Sequence, residues 1–308
     1  MVVTSAWLHA ALACSFGLLL VISVKGERLE KYHRMTASSM AGAWQQAWRN
    51  ESLNSGEFIP KRTFVTMLTG DGGNYVQGLQ ALGASLQHVG TKYPLTVITT
   101  HPPAESVRAV ARCLSLLLLQ VPDIANPVQS VEERLARFAS TYSKLGVWSL
   151  PCERVVWLDA DTVVVQNIDA LFSQPADGFG FAAARDCGVH CEARRFNSGV
   201  MAFEPSPSVF QMMFLQISST PSYDAGDQGF LNEFFKDWPD DPKAHLEQVY
   251  NVLKPLETKL PFKAIFDNAK VIHCNEKKPW TGSEDDIIYP KSHGAWREAK
   301  GQYDEQCA

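Results

Sequence analysis

Beyond residue 61 the chain alternates short apolar, β-branched runs with longer stretches whose apolar positions recur every three or four residues. Residues 63–69 form the first such run and predict a buried strand. Gly70-Asp71-Gly72-Gly73-Asn74 follow, a turn rich in residues that tolerate positive φ. Tyr75, Leu79, Leu82, Leu86 and Val89 then take helical spacing. Residues 95–99, 116–121 and 155–158 predict further strands, with a helix after Pro102-Pro103 and another over 132–149. Strands alternating with helices imply a parallel, three-layer α/β sheet. The second half is less regular: 179–184, 200–203 and 270–273 predict strands, and 208–217 and 229–235 predict helices. No internal repeat or low-complexity tract interrupts the series.

The first sixty residues follow another pattern. Residues 6–24 are apolar, with Phe16-Gly17-Leu18-Leu19-Leu20-Val21-Ile22 unbroken, and fit a cleaved signal peptide or a single membrane anchor. Lys25, Arg28, Lys31 and Arg34 follow it, a bias that by itself favours a cytosolic C-terminal side, although long domains translocate regardless of local charge. Residues 25–61 lack strand alternation and read as a stem or linker. Within them 40–48 predicts a short helix with Trp44 and Trp48 on one face. The expected organisation is a targeting segment at 1–24, a stem at 25–61 and one catalytic domain at 62–308.

Composition narrows the possibilities. The chain has 308 residues, 45% hydrophobic and 20% charged, which fits a globular core and excludes disorder. A net charge of −5 and a pI near 5.9 argue against a nucleic-acid partner. Seven cysteines are present; Cys14 lies in the apolar segment, and the other six permit disulfides in an oxidising compartment. Cys187 and Cys191, with His190 between, lack the second pair that a zinc site would need, so a disulfide or buried thiols are the expectation.

The chemistry concentrates where Arg154-Val155-Val156-Trp157-Leu158 runs into Asp159-Ala160-Asp161-Thr162. Ligands of parallel sheets sit outside the C-terminal ends of strands. Two carboxylates two residues apart there can share a hard divalent cation with diphosphate oxygens, and small Ala160 lets a ligand approach. Two enzyme classes write this local text: nucleotide-sugar transferases, and haloacid-dehalogenase-type phosphatases in which Asp159 would be the nucleophile.

The downstream order decides between them. Phe196-Asn197-Ser198-Gly199-Val200 is followed by Asp224-Ala225-Gly226-Asp227-Gln228-Gly229, then by His273 and Lys278-Pro279-Trp280. Together with the opening strand and Tyr75 this order resembles glycosyltransferase family 8, the group of glycogenin and galactinol synthase, from about residue 62 to 280. The resemblance implies a GT-A type fold, a single Rossmann-like nucleotide-sugar-binding domain with a mostly parallel central sheet flanked by helices. It implies a retaining transfer of a hexose from a donor such as UDP-glucose or UDP-galactose to a glycan, glycoprotein or small polyol. Asp159, Asp161 and His273 match its metal ligands, for manganese or possible magnesium, and two carboxylates with an imidazole suit manganese better than calcium. Lys278 matches the cation that neutralises the leaving diphosphate. Lys144, Asn197, Ser198, Asp224, Asp227 and Gln228 match the donor-sugar environment, with Asp227 and Gln228 on the reacting face. Thr66, Thr69 and Tyr75 match the uracil and ribose region, where a tyrosine stacks on a base. A non-catalytic UDP-sugar or glycan-binding module is the alternative.

The chain departs from the family pattern in three places. His273 to Pro279 is one residue short and lacks the usual glycine, which makes Lys277 a substitute candidate for Lys278. The 70–73 loop is longer. The stretch matching glycogenin's self-glucosylated region, residues 254–261, holds no tyrosine, so the chain is not expected to be a glycogenin. The variable 186–195 loop, with two adjacent arginines, is the expected acceptor side. The targeting segment fits the secretory pathway, with the Golgi expected.

Overall fold

Four apolar segments far apart in sequence become neighbours in one sheet. These are β1 (Arg62–Leu68), β2 (Leu95–Thr99), β3 (Leu117–Gln120) and β4 (Arg154–Leu158), and they run parallel. After the short β5 (Thr162–Val164) come β6 (Phe181–Arg185) and β7 (Phe196–Phe203), which extend the sheet to the order β3-β2-β1-β4-β7-β6. In it β7 alone runs against its neighbours β4 and β6. The computed structural model describes residues 36–55, 60–70, 72–127, 140–175, 180–187, 191, 194–282 and 284–308, with backbone alone at 51–55.

The central strands read as continuous apolar runs because both faces are covered. Even positions of β4, Val156 and Leu158, join Phe64 and Leu68 of β1 in a core with α2 (Tyr75–His88) and α3 (Glu105–Cys113). Trp157, between them, points to the other face and meets Lys144 of a 3-10 helix, Thr141–Ser149. That face is closed by α1 (Ala37–Ser55) and α4 (Pro207–Gln216). An aromatic cluster seals its far end: Trp148 stacks on Phe203 at 4.0 Å, and Phe181 on Phe235 at 4.2 Å. α5 (Asp227–Phe234) follows at the edge of β7.

A second sheet orders β5, β9 (Val271–His273) and β8 (Val252–Leu253). Around it lie α6 (Lys263–Asp267), α7 (Asp285–Ile288) and α8 (Pro290–Gln306), the last packed along α2. A disulfide joins Cys113, at the end of α3, to Cys307, just past α8, with Cα atoms 5.9 Å apart. Cys187 pairs with Cys191, which accounts for the spacing without zinc, and Cys152 and Cys274 remain thiols.

Within the expected stem of 25–61, the stretch Ala37–Ser55 is not a linker. The compact unit begins at Ala37, and α1 belongs to it. Trp44 is fully buried, and its Nε1 donates to the Pro122 carbonyl at 3.2 Å. Its ring sits where a Cβ on Gly146 would stand 2.3 Å away, so the 3-10 helix needs glycine there. The expected helix over 132–149 is described only from Thr141, and the apolar segment 6–24 lies outside the described residues. Among the described residues no helix is long and apolar enough to cross a membrane.

Candidate active site

The acidic pair is positioned by the two ladders that flank it. The β4–β7 pairing continues past Leu158, where the Asp159 N–H donates to the Gly199 carbonyl at 2.8 Å. That sets Asn197-Ser198-Gly199 beside Asp159. On the other side Thr162 pairs with His273 across β5 and β9, and the Cys274 N–H donates to the Asp161 carbonyl at 2.9 Å. Residues over a hundred positions apart thus meet at one edge.

Ligand atoms of Asp159, Asp161 and His273 lie within 4.8 Å of one another. His273 Nε2 is 3.3 Å from Asp161 Oδ1. The other ring nitrogen, Nδ1, faces Asn251 Oδ1 at 3.1 Å, so its hydrogen goes there and Nε2 is turned to the acids. Asn251 is itself fixed by donating to Asn197 Oδ1 at 2.9 Å. The imidazole lies against Gly199, where an added Cβ would fall 2.2 Å from Cε1. Both acids are thereby within reach of one nitrogen ligand, a donor set that fits a small divalent cation such as manganese.

Two lysines neutralise the acids. Lys278 pairs with Asp161. Burial raises the Asp161 carboxyl, but the Lys278 and His273 charges outweigh it and hold the group well below the usual carboxylate range. Lys277 is exposed, so the shortened loop still presents Lys278 to the site. Lys144 is buried and lies 3.1 Å from Asp159 Oδ1 and 2.6 Å from Asp227 Oδ2. Burial disfavours its charge, yet the two carboxylates raise its proton affinity above that of an ordinary lysine. Trp157 Nε1 donates to Asp159 at 2.7 Å, leaving Oδ2 of that partly exposed side chain for a ligand.

A polar network continues from this centre. Ser198 donates to Asp227 Oδ2 at 2.9 Å, and the Ser198 N–H donates to Gln228 Oε1 at 3.1 Å. Gln228 Nε2 reaches Asp186 Oδ2 and the Tyr223 hydroxyl, each at 3.1 Å. Burial raises the Asp186 carboxyl. Asp227 opens α5, but its carboxylate is turned to Lys144 and Ser198 and does not cap the helix.

The other sequence-derived residues fall in different places. Tyr75 is 43% exposed and meets Trp280 edge-on at 5.3 Å, with Lys278 Nζ 5.9 Å from its ring centre. It offers a face beside the acids. Ala160 is buried in the turn between them. Thr69 is exposed at the end of β1, whereas Thr66 is fully buried in mid-strand and its hydroxyl has no partner among the described residues. Asp224 serves its own loop, its Oδ1 accepting from Ser222, Gly226 and Gly229. Arg195 stacks over Tyr223 at 4.0 Å, and Arg194 pairs with exposed Asp240. Asn251 and Asp186 also belong to this network. Asn251 has no local motif and becomes visible only through β8 and β9 pairing.

The model of glycosyl transferase family 8 matches residues 128–284. Rabbit (Oryctolagus cuniculus) glycogenin-1 is 34% identical over 232 residues, 73% of this chain and 67% of that protein. Arabidopsis thaliana galactinol synthase 4 is 29% identical over 264 residues, 73% of this chain and 76% of that protein. The chain spans about two thirds of the length of the mammalian glycogenins it matches. Among solved structures, the galactosyltransferase LgtC in complex with donor and acceptor sugar analogs superposes with a TM-score of 0.53 at 18% identity, covering 78% of this chain and 95% of that one. The WbbM bifunctional glycosyltransferase gives 0.58 at 17%, covering 79% and 50%. This chain belongs to glycosyl transferase family 8 and, with its GT-A fold, is a hexosyltransferase by family.

Proposed function

We propose that the protein transfers a hexose from a UDP-sugar, UDP-glucose or UDP-galactose in type, to a glycan, glycoprotein or small polyol with retention of configuration. The observation that carries this reading is the convergence of Asp159, Asp161 and His273 beside Lys278. These three would hold manganese, or magnesium, and a cation bound there supplies electrophilic stabilisation of the departing diphosphate. Lys278, whose proton affinity is raised because Asp161 outweighs the effect of burial, adds a permanent positive charge where negative charge grows. Tyr75 offers a stacking face for the base. Asp227, held by Lys144 and Ser198, is oriented to bind donor hydroxyls, and Gln228, held by Asp186 and Ser198, is set to flank the anomeric carbon. Two disulfides support action in the secretory pathway, with the Golgi as the proposed site and residues 6–24 as its leader or anchor.

A panel of UDP-sugars with manganese tests the reading. UDP should be released from at least one donor, and His273→Ala or Asp161→Ala should reduce the rate by about 100-fold or more, as loss of charge stabilisation does. Tight UDP binding without release from any donor, with or without acceptor, would leave only a binding module.

A further inference from the structure

Behind the loop that carries Lys278 lies a fully buried lysine that the chemistry above does not use. Lys254 opens the 3-10 turn Lys254–Thr258 directly after β8, whose Leu253 pairs with His273. Its side chain is 0% exposed. Nζ donates to Asp285 Oδ2 at 2.6 Å and to the Lys277 carbonyl at 2.7 Å, and lies 5.1 Å from the Tyr289 ring centre. A buried ammonium requires such partners. One is a counter-charge on α7; the other is main chain, one residue before Lys278.

The loop itself needs support. It lacks a glycine, and Glu276 takes φ 63°, a left-handed conformation disfavoured for a residue with a Cβ. The Thr281 N–H then closes on the Lys278 carbonyl at 3.0 Å, and Lys278 Nζ also reaches back to the Cys274 carbonyl at 3.4 Å. Lys254 therefore grips the turn between its strained residue and its functional one.

We propose that Lys254 is a positioning residue: by holding the Lys277 carbonyl it fixes the shortened turn and aims the Lys278 ammonium at the diphosphate subsite beside Asp161. The inference rests on the function proposed above, because Lys278 must meet a diphosphate for its aim to matter. Asp285 accounts for the charge of Lys254, and the carbonyl bond accounts for its reach across to the loop.

Lys254→Met alone would take the ammonium away from the buried Asp285 carboxylate, so the informative protein is the double variant K254M/D285N, compared with D285N alone, which keeps the carbonyl bond. Amide exchange of the 274–281 segment is read in metal-free protein, and UDP affinity is read by calorimetry with manganese. In the double variant the segment should exchange about tenfold faster, and UDP affinity should fall about 10- to 100-fold, as when supporting contacts of a ligand site are removed. D285N alone takes the counter-charge from buried Lys254 and should lower global stability, but because it keeps the carbonyl bond it should change segment exchange and UDP affinity clearly less than the double variant. Adding Lys278→Ala to the double variant should cause no further loss. Unchanged exchange, an equal loss in D285N alone, or losses that multiply with Lys278→Ala would each overturn the inference. Failure of the wild-type protein to bind UDP would sink the functional reading instead, and the exchange comparison would still decide whether Lys254 holds the turn.

Discussion

Two ammonium groups set the electrostatics of the site, and the response of Asp161 to pH follows from its partners. Asp161 titrates below its unfolded value of about 4 because Lys278 and His273 outweigh burial. A depressed carboxyl stabilises the fold above its unfolded pKa and loses that contribution as pH falls toward the folded one. Asp161→Asn in metal-free protein should therefore lower stability at pH 7 by roughly 3 kcal/mol, the cost of leaving one member of a buried pair alone. The gap should narrow below about pH 4, where the Asp161 carboxyl of the unfolded chain takes up a proton that the folded one still refuses. Thermal melts in chelator between pH 3 and 8 measure this, and a gap indifferent to pH would refute the ion-pair account. Asp159, Asp161, His273 and Lys278 were legible in the sequence because each sits in a short ordered motif. Asn251 and Asp186 were not, since their roles come from strand pairing and from a network that no spacing encodes. Thr66 shows the reverse: a motif position that the mid-strand register buries.

At the scale of elements, β-branched runs such as 95–99 gave their strand directly, because burial on both faces leaves a continuous apolar signal. β5 and β8 hold three and two residues, too few for any periodicity, yet they bring His273 to the acids. The stretch before residue 62 misled for a related reason. Its polar composition resembles a linker, but two tryptophans four apart are core-forming in themselves. Trp44→Ala should cost about 3–5 kcal/mol, as large-to-small changes at buried aromatic sites do. Urea unfolding of the two proteins checks this; a loss below about 1 kcal/mol would return α1 to the status of a tether.

For the whole molecule, long-range closure rests on side chains more than on chain order. The Cys113–Cys307 bond links positions 194 residues apart and ties α3 to the end of α8. Cys307→Ser should destabilise the protein by about 2–5 kcal/mol, chiefly by freeing the unfolded chain. The melting temperature of the wild type with and without reductant, against that of the variant, measures it; reductant should bring the wild type toward the variant. The pairing was beyond the sequence, since six cysteines admit many partners, whereas the α/β class followed from the order of elements.

Lys144 joins two loops that could otherwise drift apart, one gathering the acids and the other opening α5. A single proton-bearing nitrogen is thus common property of the two carboxylates. Under the function proposed above, a change of sugar preference that passes through position 227 should also alter the appetite for the cation, tying the two traits together.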